Sequence, residues 1–132
     1  MPGKFRDYCP NGLQVEGRSE ITSIVAGVTA SQALLDAAVN RHADAILVHH
    51  GYFWKGESPV LTGMKAQRCR SLFKSDLNLF AYHLPLDVHQ AVGNNISLAK
   101  HCGWMVDGQH SVSGIADLLW SGHLTTPTAL ND

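Results

Sequence analysis

Three short apolar runs, at 21–28, 45–48 and 77–82, alternate with segments whose apolar residues recur at helical spacing, and this alternation restricts the fold more than any other feature. The first run, ITSIVAGV, is rich in β-branched residues and reads as a strand. In the second, AILV after Asp44 is continuously apolar, as suits a strand buried on both faces of a parallel sheet. The third, LNLFAY, is again strand-like and must stop before Pro85, which cannot donate to a ladder. Between them, Ser31 is placed to cap a helix reaching about Arg41, with Leu34, Leu35, Ala38 and Val39 on one face. The stretch 60–74 spaces Leu61, Met64, Leu72 and Phe73 as a broken helical face. Asn94 or Asn95 opens a third helix through Ile96, Leu98, Ala99 and Cys102, which Gly103 closes. Strand and helix in strict alternation predict an α/β fold, a mainly parallel sheet with helices on its faces. The opening segment to Glu20 reads as a lead-in loop with a short extended piece at Leu13 and Val15. In the rest of the chain, Gly108, Gly114 and Gly122 leave room for at most a short strand around 115–120.

A chain of 132 residues that is 45% apolar is the size of one domain with a real core, so residues 1–132 are expected to form a single α/β domain. Charged residues make up only 16% and the net charge is −1, which does not imply nucleic acid as a partner. No apolar run approaches the roughly 20 residues that span a bilayer, and the first residues lack a signal-peptide core, so no membrane association and a cytoplasmic location are expected. Cys9, Cys69 and Cys102 are widely separated and read as reduced thiols rather than as a disulfide framework. Eight histidines are many for this length, and where they fall matters more than their number.

In open α/β sheets, ligands bind beyond the carboxyl ends of the strands, and the two densest polar clusters directly follow the second and third apolar runs. The second run stops at His49-His50-Gly51. Adjacent side chains on a regular strand face opposite ways, but at a strand end followed by glycine both imidazoles can turn into one cleft, each toward its own cation. An isolated pair of this kind is more often one buried and one exposed histidine. The second cluster shifts that balance, because His83, Asp87 and His89 follow a strand that a crossover places beside the first. Asp87 offers an anionic oxygen and the imidazoles neutral nitrogen, a donor set for zinc, iron or manganese. Capping by Asp87 and polar loop roles for His83 and His89 are the plainer alternatives. Tyr52, Phe53 and Trp54 beside Lys55 either line a pocket for a planar anionic ring or pack the loop. Asn11 and Gln14 either orient a ligand or serve the Pro10-Asn11-Gly12 turn. A phosphate-cradling glycine loop and a nucleophile elbow are both missing, so metal chemistry is what the residues support.

The strings YCPNGLQVEG at 8–17, GVTAS at 27–31, VHHGYFWKGESPV at 48–60 and YHLPLDVH at 82–89 resemble the GTP cyclohydrolase 1 type 2-like family, also called Nif-three-like, over residues 8 to about 105. The resemblance implies the N-terminal lobe of a Nif-three-like α/β fold with a dinuclear metal site. It makes His49 and His50 ligands to two different divalent ions and Asp87 a ligand to one of them, with His83 lining the site in a catalytic role. It further implies a ring-shaped homo-oligomer, a hexamer, and a metal-dependent hydrolase that opens the purine ring of a nucleotide such as GTP. A non-catalytic metal-binding, ring-forming scaffold is the alternative from a different class. Family chains are longer, and their C-terminal half adds a histidine and a glutamate in a G-H-x-x-x-E setting. Gly122-His123 echoes that motif without the glutamate, so His123 is not counted as a ligand, and the chain is expected to be truncated relative to the family.

Overall fold

The computed structural model describes residues 6–129. Its elements run β1 (Gly12–Val15), β2 (Ile24–Thr29), α1 (Gln32–Asn40), β3 (Ala45–His50), α2 (Gly63–Lys74), β4 (Asn78–Ala81), α3 (Leu84–Asp87), α4 (Asn94–His101), β5 (Trp104–Val112) and β6 (Ile115–Leu124). They fall into two compact units, Asp7–His83 and the segment from Leu84 onward.

The first unit is a four-stranded sheet in the order β1-β4-β3-β2. β2, β3 and β4 are mutually parallel, and β1 pairs antiparallel with β4 through Gly12 and Ala81. The lead-in segment thus supplies an edge strand rather than only a loop. Ser31 caps α1 as its position suggested, its hydroxyl accepting from the Leu34 amide at 3.3 Å. α1 packs against α2, so the two helices lie side by side on one face of the sheet. Leu35, Ala38 and Leu72 from these helices meet Val25, Ile46, Val48, Leu79 and Ala81 from the strands in a single core.

The 45–48 run is not buried on both faces. Ile46 is fully covered, whereas Leu47 between Ile46 and Val48 is 38% exposed, and Ile24 and Val28 on β2 are more exposed still. A continuous apolar run cannot distinguish a strand covered on both faces from one with an uncovered apolar face, and here the face bearing Leu47 is open.

In the second unit, β5 and β6 form a two-stranded antiparallel ribbon in place of the short strand expected near 115–120. The glycines that looked like breaks belong to the hairpin. Ser113 and Gly114 join the strands with positive φ at both, 53° and 78°, the pattern of a type I′ turn, whose twist matches the strands. Gly108 lies at a register irregularity in β5. α4 packs on β5 and is closed, as expected, at Gly103, which has φ 69°.

Candidate metal centre

β3 and β4 end side by side because they are parallel neighbours, Val48 being in register with Ala81. The chain therefore delivers His49 and His50 from the last two positions of β3, and His83 from just beyond β4, to one edge of the sheet. The strand does not stop before the histidines, as the sequence suggested. Both lie within it, and His50 is in register with Thr29. Their ring centroids nevertheless stand 4.5 Å apart, with His83 at 4.9 Å from His49 and 5.7 Å from His50. Alternation sends the two side chains off opposite faces, but at the final pair of a strand both rings can lean past its end.

Gly51 then lets the chain turn tightly against β1 and β4. A Cβ there would collide with Gln14 Oε1 and come within 2.7 Å of the Ala81 Cβ, so the glycine is required by close approach rather than by a positive φ. Gln14 closes this turn by accepting from the Tyr52 amide at 2.7 Å and donating to the Tyr52 carbonyl at 3.1 Å, which makes it a structural residue.

Each imidazole is held through Nδ1. His49 Nδ1 lies 3.0 Å from the Tyr82 carbonyl, which can only accept, so that nitrogen carries the proton and a cation at His49 would be bound through Nε2. His50 Nδ1 is 3.2 Å from the Thr29 hydroxyl, and His83 Nδ1 is 2.7 Å from Asp7 Oδ1. All three rings are half-buried, and each offers one ligating nitrogen within 4.8 Å of the other two. Three neutral nitrogens at that spacing fit a borderline cation such as zinc or iron, or a close pair of cations about 3.5–4 Å apart.

Asp7 and Cys9 join His83 in a second group of metal-compatible atoms among the described residues. Burial first, and the nearby Asp7 charge second, push the Cys9 thiol up to about 11, so at neutral pH it is a thiol and not a thiolate. The sequence reading names Cys9 only as a reduced thiol and does not single out Asp7. Asp7 reaches His83 across 76 positions, and no spacing rule connects residues so far apart.

The aromatic run divides by position. Tyr52 belongs to the core: its hydroxyl donates to the Ala30 carbonyl at 2.8 Å, and burial pushes it up to about 12. Phe53 sits under the Lys65 ammonium, 5.0 Å from the ring centre. Trp54 borders the histidines, its ring 5.0 Å from that of His83 and edge-on to it.

Asp87 falls in the second unit, at the end of α3, where its Oδ1 accepts from Asn94 Nδ2 at 2.8 Å. His89 is absorbed locally, its Nδ1 accepting from the amides of Ala91 and Val92. His123 is exposed on β6 with Nδ1 2.8 Å from Asp107 Oδ2.

The fold is thus an α/β sheet that brings three imidazoles together at the carboxyl edge of its parallel strands. A profile of the family described as Duf34/NIF3 (NGG1p interacting factor 3) matches residues 1–132, and the chain belongs to that family. It is 55% identical over 124 residues to a GTP cyclohydrolase 1 type 2 homolog of Pseudomonas aeruginosa, covering 94% of this chain and 49% of that protein. It is 56% identical over 121 residues to the Escherichia coli K12 protein of the same description, covering 92% and 47%. The chain thus spans about half the length of these curated relatives. Among solved structures it resembles protein ybgI, described as of unknown function, with TM-score 0.88 and 53% identity over 95% of this chain and 49% of that one. It also resembles TTHA1606 from Thermus thermophilus, with TM-score 0.71 and 38% identity over 84% and 45%. Among the described residues no helix is long and apolar enough to cross a membrane.

Proposed function

We propose that this chain binds divalent metal through His49 and His50, with Asp87 as the carboxylate ligand, and provides this part of a metal-dependent hydrolase acting on a purine nucleotide such as GTP. The observation that carries the reading is the convergence of three imidazole nitrogens within 4.8 Å at the carboxyl edge of the sheet. Asp87 is supported by its place in the Leu86-Asp87-Val88-His89 string, through which the sequence resembles the family. The nucleotide is supported by the description of the relatives as GTP cyclohydrolase 1 type 2 homologs.

A divalent cation bound there supplies Lewis acidity, polarising the group under attack and acidifying water. His49 and His50 hold and orient it, each fixed by the partner on its Nδ1. His83 accepts a proton through Nε2. Trp54 offers an aromatic surface beside His83, on which a purine ring can stack. The ring-shaped hexamer belongs to the same proposal and rests on the family resemblance; a cytoplasmic location is proposed with it.

The test is metal content after exhaustive dialysis, with GTP turnover followed by chromatography. His50→Ala and Asp87→Ala should each lose most of the bound metal. His101→Ala, at the end of α4, and His110→Ala, whose Nε2 is 2.8 Å from the Ser121 hydroxyl, should lose little. Equal losses in all four variants would mean non-specific binding and end the site hypothesis. Metal bound at His50 without turnover in the full-length relatives would remove the hydrolase reading and leave the scaffold.

A further inference from the structure

The partners of His83 form a closed chain of donors and acceptors whose proton positions follow one from another. The His83 backbone N–H can only donate, and it does so to Asn11 Oδ1 at 2.7 Å. That fixes the Asn11 amide, so its Nδ2 faces Asp7 Oδ2 at 2.8 Å and donates to it. The Tyr8 backbone N–H donates to Asp7 Oδ1 at 2.6 Å. Both Asp7 oxygens are therefore acceptors, and the His83 Nδ1 that stands 2.7 Å from Oδ1 must carry the proton. The Asp7 side chain is 2% exposed, so water does not compete for these bonds.

We propose that Asp7 is a positioning residue that, braced by Asn11, holds His83 in its Nδ1–H form, so that His83 turns a lone pair on Nε2 toward the His49–His50 pair. The same clamp explains the two ends of the Asp7-to-Asn11 segment. One end accepts the ring proton and the other grips the backbone of the same histidine, so ring and main chain are fixed together. The use of that lone pair as a proton acceptor rests on the proposed hydrolase; the orientation of the ring does not. Carboxylate-oriented imidazole is the usual way to fix both tautomer and ring plane, and losing the carboxylate commonly costs about 10–100-fold in the property that depends on it.

The experiment is a long-range proton–nitrogen correlation spectrum of the metal-free, nitrogen-15-labelled chain, recorded at about pH 8, above the ordinary imidazole range. His83→Gln assigns the signals. The wild type should show His83 as the Nδ1–H tautomer with a downfield Nδ1 proton. Asp7→Ala should spread the ring over both tautomers, while Asn11→Ala, which leaves the carboxylate in place, should retain the Nδ1–H form. A wild-type ring protonated at Nε2 would overturn the proposal, and so would an unchanged Nδ1–H ring in Asp7→Ala. If Asp7→Ala does not fold, the wild-type spectrum still decides between these outcomes. Because no metal is present, failure here is distinct from failure of the metal-binding reading, which dialysis reports.

Discussion

At the scale of single residues, the first unit is locked at the end of the sheet away from the histidines by one buried carboxylate. Asp44, just before β3, accepts from the Thr22 amide at 3.0 Å, the Thr22 hydroxyl at 2.9 Å, the Ser23 amide at 2.9 Å and Arg18 Nη1 at 2.8 Å. The Thr22 amide leads in holding its pKa down to about 2, followed by the Thr22 hydroxyl and the Ser23 amide, against the opposing effect of burial. A carboxylate whose folded pKa is depressed adds stability above its unfolded pKa of about 3.9, and that stability is lost as pH falls through the folded value. The window is therefore from about pH 4 down to about 2. Asp44→Asn should have a lower urea midpoint than wild type at pH 7 and a flatter decline across that window. Parallel declines for the two proteins would show that Asp44 does not carry the acid sensitivity.

At the scale of elements, the two sheets differ in how well they are covered. β3 is flanked by β2 and β4, and its core side chains Ile46 and Val48 are buried under α1 and α2. The β5–β6 ribbon has two strands and exposes Trp104, Met105, Leu119 and Leu124, with Ile115 alone buried along its length. Leu98, Trp104, Leu118 and Trp120 line an open groove of about 460 Å³ in this unit. Two-stranded ribbons are marginal by themselves, and local opening follows sparse apolar burial. Hydrogen exchange should therefore find the amides of Ile46 and Val48 opening only with global unfolding, and those of β5 and β6 opening at lower free energy. Comparable protection in both sheets, measured on a monomer, would contradict this.

At the scale of the whole molecule, metal binding and folding should be linked. A ligand that binds only the folded state at 100 times its dissociation constant adds about 2.7 kcal/mol to stability. Zinc or manganese should therefore raise the thermal midpoint of the wild type and leave the doubly substituted His49→Ala, His50→Ala chain unmoved. A shift of the same size in both would place the metal elsewhere. In the proposed site two ions would share two imidazoles and one carboxylate, so occupancy below two per isolated chain is expected by metal analysis. Two ions retained per isolated chain after dialysis would show that the chain holds more of the site than these donors supply.

Local periodicity determines element type, and so the sequence alone sufficed for the α/β class, the Ser31 cap, the helix closed at Gly103 and the polar residues waiting at the ends of β3 and β4. It also named His49, His50, His83 and Asp87 as candidates, because chemistry-bearing residues at strand ends read directly from the chain, and of these the structure groups the three imidazoles. Long-range pairing was decided only by the tertiary structure. β1 became an edge strand because β4 offered it free backbone groups, and Leu47 stayed exposed because both helices pack on the other face. The glycines near the end built a hairpin rather than interrupting a strand, since positive φ at Ser113 and Gly114 has value only when two strands must be joined. Asp7 met His83 because the packing of the segment before β1 against the end of β4 has no counterpart in local spacing, and which ring nitrogen bears a proton depends on that partner.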